Sequence, residues 1–589
     1  MYPKLENYTK EITDVAMGRK KADLIIKNVK LINTCTSEIQ HNINIAIING
    51  LICYVGEENH IIGLQEIDGT DYYASPGFMD GHMHIESSML TPEEYANTVI
   101  PHGTTSVFYD PHEIANVLGK SAIELMIERS KNIHLKCFLT TPSCVPALDG
   151  FETNGKTLTA NEINSFYKTP YAVGLGEMMN IYGVINNDEE THKKLSGTLN
   201  KNKIITGHYT ISENDHRLDA YIGTGIRSCH ESITPESILA KIRKGMYGQI
   251  RQGSAWQDLK TVIPAITENN ISTRYINLVS DDTHPNTLIK NGHMNYIVNM
   301  AMDEGVDPIS AIEMVTLNVA NCFNMEHIFG SITPSKVADI ILFKDIRNIK
   351  PEYVIINGEI VYNGKLLYEQ KNIPYPDFCK ETMNITKKFT DEDFKILCYT
   401  AKANVNIIEI IENSAVNKRK IIEMKPIDNH LIADCKNDIA KIFVIDRHSG
   451  TNEMSYGFIK GFSLKEGSIV TTVGHDAHNI TVIGMNDRDI AIAVNKVVEL
   501  GGGMVAVKDG DIIASVPLKL AGLMSFDDVY TVEKQLTQME NAWVQLGSNI
   551  HSPFMTLALT PLAVIPEVRL TNKGLVDVIN YKFIDLIEN

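Results

Sequence analysis

The sequence predicts an α/β protein: a (β/α)8 TIM-type barrel inserted in a small β-sandwich domain and followed by a C-terminal α/β domain. Three observations carry that prediction. Between residues 76 and 330, eight short apolar runs recur with helical segments between them: GFMDGH, TTSVFYD, IHLKCFL, YAVGLGE, KIITGH, GIRSCH, MYGQIRQ and YINLVSDD. Eight βα units are what a closed barrel requires. Strand-rich runs lie on both sides of this stretch, DLIIKNVKLIN, NINIAIING and LICYVG before it and ADIILFKD and EYVIINGEIVYNG after it. One small β-domain completed from both sides accounts for them, because neighbouring chain ends permit one domain to be inserted in another. From residue 385 the chain alternates strands and helices, with glycine turns at GHDAHN and LGGGMVAVKDG.

The expected boundaries are 1–75 and 335–384 for the two parts of the β-domain, 76–334 for the barrel and 385–589 for the C-terminal domain. The run DPISAIEMVTLNVANCFN reads as one helix ending the barrel, and the charged stretch at 385–395 as an exposed linker.

Composition narrows the function classes. The chain has 589 residues, 43% hydrophobic and 21% charged, the balance of a multi-domain globular protein. Its formal charge of −18 argues against nucleic acid as a partner, which demands clustered Lys and Arg. No apolar run has signal-peptide character or membrane-span length, so the expected location is the cytoplasm, with no membrane partner. Nine scattered cysteines without a CxxC pair indicate neither a disulfide framework nor a thiolate metal site.

The chemistry lies at the strand ends. His82 and His84 stand two apart in GHMH, and residues i and i+2 of a strand point to the same side, so both imidazoles converge. Later strands end in Glu177, His208, His230 and Asp281, on the face where barrel active sites are built. Four neutral nitrogens and two carboxylates suffice for two divalent ions if Glu177 bridges them, and nitrogen and oxygen donors suit manganese, iron or zinc. Two such ions lower the pKa of a shared water towards neutrality, which implies hydrolysis at an electrophilic carbon. Asp282 leaves a one-residue ambiguity with Asp281. His112 and Glu113, after the second strand, fit either substrate contact or loop capping. His284 precedes Pro285 and reads as a turn, and His216 with Arg217 as a solvated helix start. LGGGMV lacks a phosphate-binding pattern.

The split β-domain, the HxH strand, the strand-four acid and the three later strand-end ligands resemble the amidohydrolase superfamily. The longer strings PGFMDGHMHIESSM, GTTSVFYDPHEIANV, GLGEMMN, VSDDTHP and GHDAHNI are similar to the bacterial adenine deaminase family over nearly the whole chain. That resemblance implies His82, His84 and Asp281 on one metal, His208 and His230 on the other, and Glu177 between them, where relatives often carry a carboxylated lysine. It implies two divalent ions, manganese or iron ahead of zinc, and a homo-oligomer, dimer or tetramer. The implied substrates are adenine and water: hydroxide attacks C6, and Asp281 carries its proton to the departing amine. Glu86 either protonates a ring nitrogen or supports a ligand imidazole. The segment bearing His475, Asp476 and His478 would close over the barrel mouth and help hold the purine. Competing readings are a deaminase of N6-substituted adenine or another aminated heterocycle, a cyclic-amide hydrolase, and a catalytically silent barrel acting as a binding module. The last predicts broken ligands, and none is broken.

Overall fold

The computed structural model describes residues 2–254, 256–269, 271–368, 373–412 and 414–588. All eight apolar runs of the central region form strands: Phe78–Met83, Thr104–Tyr109, Lys136–Thr141, Ala172–Met178, Ile204–Gly207, Ile226–Cys229, Tyr247–Arg251 and Ile276–Val279. They lie side by side in chain order and pair in parallel. The barrel closes where Met83 bridges Asp281, with the Asp281 amide donating to the His82 carbonyl at 3.1 Å. The strands are buried almost throughout, as a parallel sheet covered by return helices must be. Several of those helices start at side-chain caps: Thr91 accepts from the Glu94 amide, Thr159 and Glu162 form a reciprocal capping box, Asp188 accepts from the Thr191 amide and Thr234 from the Ser237 amide.

The run expected as one helix at the end of the barrel is two, Pro308–Glu313 and Leu317–Cys322. Thr316 breaks it: its hydroxyl donates back to the Ile312 carbonyl at 2.7 Å, and its backbone leaves the helical region (φ −134°, ψ −91°).

The strand-rich runs flanking the barrel join in one sheet, in the order Glu359–Asn363, Tyr353–Ile356, Ile340–Phe343, Tyr73–Pro76, Ala22–Asn33, Glu38–Ile48 and Leu51–Gly56. Ala22–Asn33 carries register shifts and serves two neighbours in turn along one edge, Gly63–Asp68 against its first half and Tyr73–Pro76 against its second. Bulges of this kind bend a strand, so a single sheet encloses a core of Leu24, Ile26, Ile45, Ile340 and Leu342. Lys136, at the start of the third barrel strand, ties the barrel to this sheet through a bidentate pair with buried Asp339 at 2.7 and 2.8 Å. Asp339 also accepts from the Asn357 amide.

The C-terminal region is sheet-dominated rather than an alternation of strands and helices. Nine strands form one sheet, antiparallel except for Ala403–Ile410 beside Met454–Lys460. Its two faces are read off alternate residues: Val470, Val482 and Val505 pack with the helix Asp487–Leu500, whereas Ile469, Ile483 and Met504 share a core with the helix Val529–Gln545 and the barrel. The charged stretch expected as an exposed linker is a packed strap. Phe389 and Phe394 are buried, and the Phe389 amide donates to Asn495 on the helix Asp487–Leu500. Charge counted along the sequence concealed the two aromatic anchors. In LGGGMV, Gly503 has φ +127°, and a Cβ there would lie 1.9 Å from the Val516 carbonyl, so the glycine admits a close strand crossing. The nine cysteines are free, seven of them buried. Among the described residues no helix is long and apolar enough to cross a membrane.

Replacing Lys136 by Met leaves Asp339 buried without its cation and is expected to cost about 3–5 kcal/mol. Calorimetry should show a lowered unfolding midpoint, largely restored by Asp339→Leu in the same chain; equal midpoints for all three proteins would count against the pair as an anchor.

Candidate active site

Glu177 lies at the centre of the barrel mouth, 2% exposed. Its Oε1 faces one group of imidazoles, 3.5 Å from His84 Nε2, 4.0 Å from His82 Nε2 and 3.5 Å from His112 Nδ1. Its Oε2 faces another, 2.7 Å from His208 Nδ1 and 3.2 Å from His230 Nε2. The carboxylate is held from behind by its own backbone: the Glu177 amide donates to Asp110 Oδ2 at 2.9 Å. That approach requires Gly176, where a Cβ would come within 2.0 Å of the same oxygen. Asp110 also fixes His84, whose Nδ1 donates to the Asp110 carbonyl at 2.9 Å and so leaves Nε2 for the cleft.

Asp281 completes the first group, with Oδ1 3.3 Å from His84 Nε2 and 3.5 Å from His82 Nε2. Asp282 instead accepts from the Ser87 hydroxyl at 2.5 Å. His82 and His230 stack face to face, 3.8 Å apart at 11°, and join the two groups. All six strand-end residues singled out in the sequence therefore meet. Their donor atoms point at one another with few protons to share, and His82 Nε2 is buried without a hydrogen-bond partner. Two sets, His82–His84–Asp281 and His82–Glu177–His230, bring their ligand atoms within 4.8 Å of one another. Buried lone pairs converging in this way fit divalent cations.

A cleft partly open to solvent lies above these residues. Among the residues that escaped the sequence reading are Glu231, Arg251 and Trp256 in the cleft and Asp110 behind it. Glu231, next to His230, lies 3.6 Å from His230 Nε2 and pairs with Arg251, which also reaches Asp281 Oδ2 at 3.2 Å and Asp258 at 2.8 Å. Arg251 ends the seventh strand, so the strand-end rule that found the ligands could have found it too. Trp256 and Asp110 follow strands seven and two, where aromatic and acidic residues are commonplace.

Comparison with known proteins now bears on this site. The amidohydrolase family model matches residues 73–361, and the model of the adenine deaminase C-terminal domain matches residues 414–582. An adenine deaminase of Clostridium botulinum is 45% identical over 582 residues, covering 98% of this chain and 97% of the relative. Adenine deaminases of Moorella thermoacetica and Staphylothermus marinus are each 42% identical, over 99% and 97% of this chain and 98% and 96% of theirs. The chain belongs to the adenine deaminase family. It is thus a hydrolase of carbon–nitrogen bonds, and membership of the amidohydrolases implies a divalent metal.

Adenine deaminases carry a C-terminal domain, and here that domain reaches into the cleft of its own chain. Ala415, Leu559, Leu562 and Ile565 form an apolar outer wall, drawn from segments remote in sequence from the barrel and without any local signature. The GHDAHN loop is pinned to the barrel by Glu113, whose Oε1 accepts from His475 Nδ1 at 2.7 Å while Oε2 pairs with His478 Nε2. Glu113, expected to serve substrate contact or loop capping, lines the cleft and also joins the two domains. His112 lines the cleft, between Glu177 and Asp476. Glu86 lines a small adjoining pocket with Met89, His284 and Phe554, and not the cleft itself. Its Oε1 accepts from the Ile114 amide, and burial pushes its carboxyl up to about 7. His284 stands at the turn before the helix Pro285–Lys290, and His216 is an exposed helix start, both as expected.

Burial lowers the pKa of His475, but Glu113 overrides it and raises the imidazole to about 9, while burial lowers His478 to about 4. His475 therefore supplies the charge of the pin. Because its folded pKa is raised, its contribution is complete below about 6.5 and lost as pH rises through about 9. The urea midpoint of the protein should fall between pH 7 and 9, and Glu113→Gln should flatten that dependence; parallel profiles would show that the pin is not closed in solution.

Proposed function

We propose that this chain hydrolyses adenine to hypoxanthine and ammonia at the barrel mouth, using two divalent cations. The observation that carries the reading is the division of Glu177, one oxygen to each imidazole group. His82, His84 and Asp281 would hold one cation, His208 and His230 the other, with Glu177 shared. Nitrogen and oxygen ligands of this kind suit manganese, iron or zinc. When bound, such a pair lowers the pKa of water towards neutrality and polarises the carbon under attack.

The protein's own groups manage orientation and protons. Arg251 holds Asp281 Oδ2, so Oδ1 stays turned to the cleft, where it takes a proton from the water adding at C6 and returns it to the departing amine. Asp281 is the catalytic residue of this scheme. Glu86, set back from the cleft, supports the turn bearing His112 and Glu113 through the Ile114 amide instead of donating to the purine. Trp256, Leu559 and Leu562 supply flat apolar surface suited to a heterocycle and exclude bulk water.

Ammonia release from adenine, followed with hypoxanthine absorbance, tests the reading. Protein produced with manganese under iron chelation should turn over. His82→Ala and metal removal should each abolish turnover, and manganese should restore it only to the stripped wild-type chain. Metal-loaded protein inert towards adenine would sink the assignment.

A further inference from the structure

The carboxylates around the cleft differ in what their oxygens already hold. Glu177 serves two imidazole groups, Asp281 faces His84 and Arg251, and Glu231 is paired with Arg251. Glu113 is taken up by His475 and His478, and Asp282 accepts from Ser87. Asp476 differs from these in having no imidazole, guanidinium or hydroxyl partner closer than 3.8 Å. It is 1% exposed, its Oδ1 lies 3.8 Å from both His112 Nε2 and His475 Nδ1, and its Oδ2 has no hydrogen-bond donor. A carboxylate oxygen buried without a donor is costly, and native structures rarely leave one so.

The loop that carries Asp476 cannot swing the group out to water. The His478 amide donates to the Gly474 carbonyl at 2.7 Å, the His475 amide donates to the Ala558 carbonyl at 2.9 Å, and Asn479 Nδ2 donates to the Thr153 carbonyl at 2.8 Å. The His478 carbonyl accepts from the fully buried Arg447 guanidinium. The C-terminal domain thus presents an acceptor-only group to the cleft in a fixed position, beside an apolar wall of Leu559 and Leu562.

We propose that Asp476 accepts a hydrogen bond from the imidazole-ring N–H of the purine, and so selects the free base against purines substituted at N7 or N9. This rests on the adenine reading above. Neutral adenine has two kinds of N–H donor, the exocyclic amine and one ring N–H carried by N7 or N9. The amine sits on the carbon under attack and departs, so it belongs beside the ligand cluster. The ring N–H is the donor left for a carboxylate on the opposing domain. A substituent there removes the hydrogen and sets an alkyl group or a lone pair against Asp476, and the apolar wall offers nothing to the hydroxyls of a sugar. A buried polar group built for a donor discriminates strongly against analogues that lack it.

The test uses full-length, manganese-loaded protein with adenine, 7-methyladenine and 9-methyladenine, each measured as substrate and as competitive inhibitor. In Asp476→Ala, kcat/KM for adenine should fall by about 10- to 100-fold. Bound manganese and the unfolding midpoint should match wild type, and the preference for adenine over both methylated bases should narrow by about tenfold or more. Asp476→Asn keeps a carbonyl acceptor and should retain part of that preference; it carries the same comparison should the alanine variant fail to fold. An unchanged preference, or equal losses for all three bases, would overturn the proposal while leaving adenine deamination intact. Wild-type protein that holds metal and ignores adenine would overturn the reading beneath it instead.

Discussion

The site depends on one carboxylate kept between two groups of imidazoles. Glu177 is buried among His82, His84, His112, His208 and His230, and neither oxygen is free to turn away. Burial alone would raise its pKa, but His230 and His208 hold it well below the usual carboxylate range. Its position is fixed from behind by Asp110, which accepts from the Glu177 amide and, through its own carbonyl, orients His84. One residue just after the second strand thereby positions side chains at the ends of the first and the fourth, and Gly176 is the small residue that lets those strand ends approach.

Assembling so many lone pairs in a dry barrel mouth is unfavourable until something positive binds, and the rest of the molecule supplies the rigidity that prevents collapse. Among the described residues Arg251 is the one guanidinium at the cleft, and it links the sixth, seventh and eighth strand ends through Glu231, Asp258 and Asp281. At the opposite end of the barrel, Lys136 and Asp339 join the third strand to the sheet that both flanking segments build. The barrel is braced at both faces by ion pairs that join separate strand ends.

The C-terminal domain changes what the barrel can do. A barrel of this kind opens its mouth to solvent, whereas here an apolar wall and a histidine loop cover it, and the core on one face of the C-terminal sheet is continuous with that of the barrel. The cover leaves a cleft with apolar side chains on its outer wall and polar strand-end residues at its base.

The eight strands, the six converging strand-end residues and the family were legible in the sequence, because periodicity and strand-end position are local properties that parallel pairing preserves. Asp281 and Asp282 were indistinguishable there; the backbone turn at Asp281, φ +57°, is what sends the two side chains to different partners. The split of the terminal helix at Thr316 and the burial of Phe389 and Phe394 were likewise hidden, since each depends on a partner the linear pattern does not name. The joining of Glu113 to His475 and His478 spans more than 350 residues and was beyond any motif. Sequence alone determined which residues could bind metal, because the side-chain chemistry and the strand period are written in it. Only the tertiary structure decided which of them face one another and what covers them, because those choices are made by the closure of the barrel and the docking of a domain from the far end of the chain.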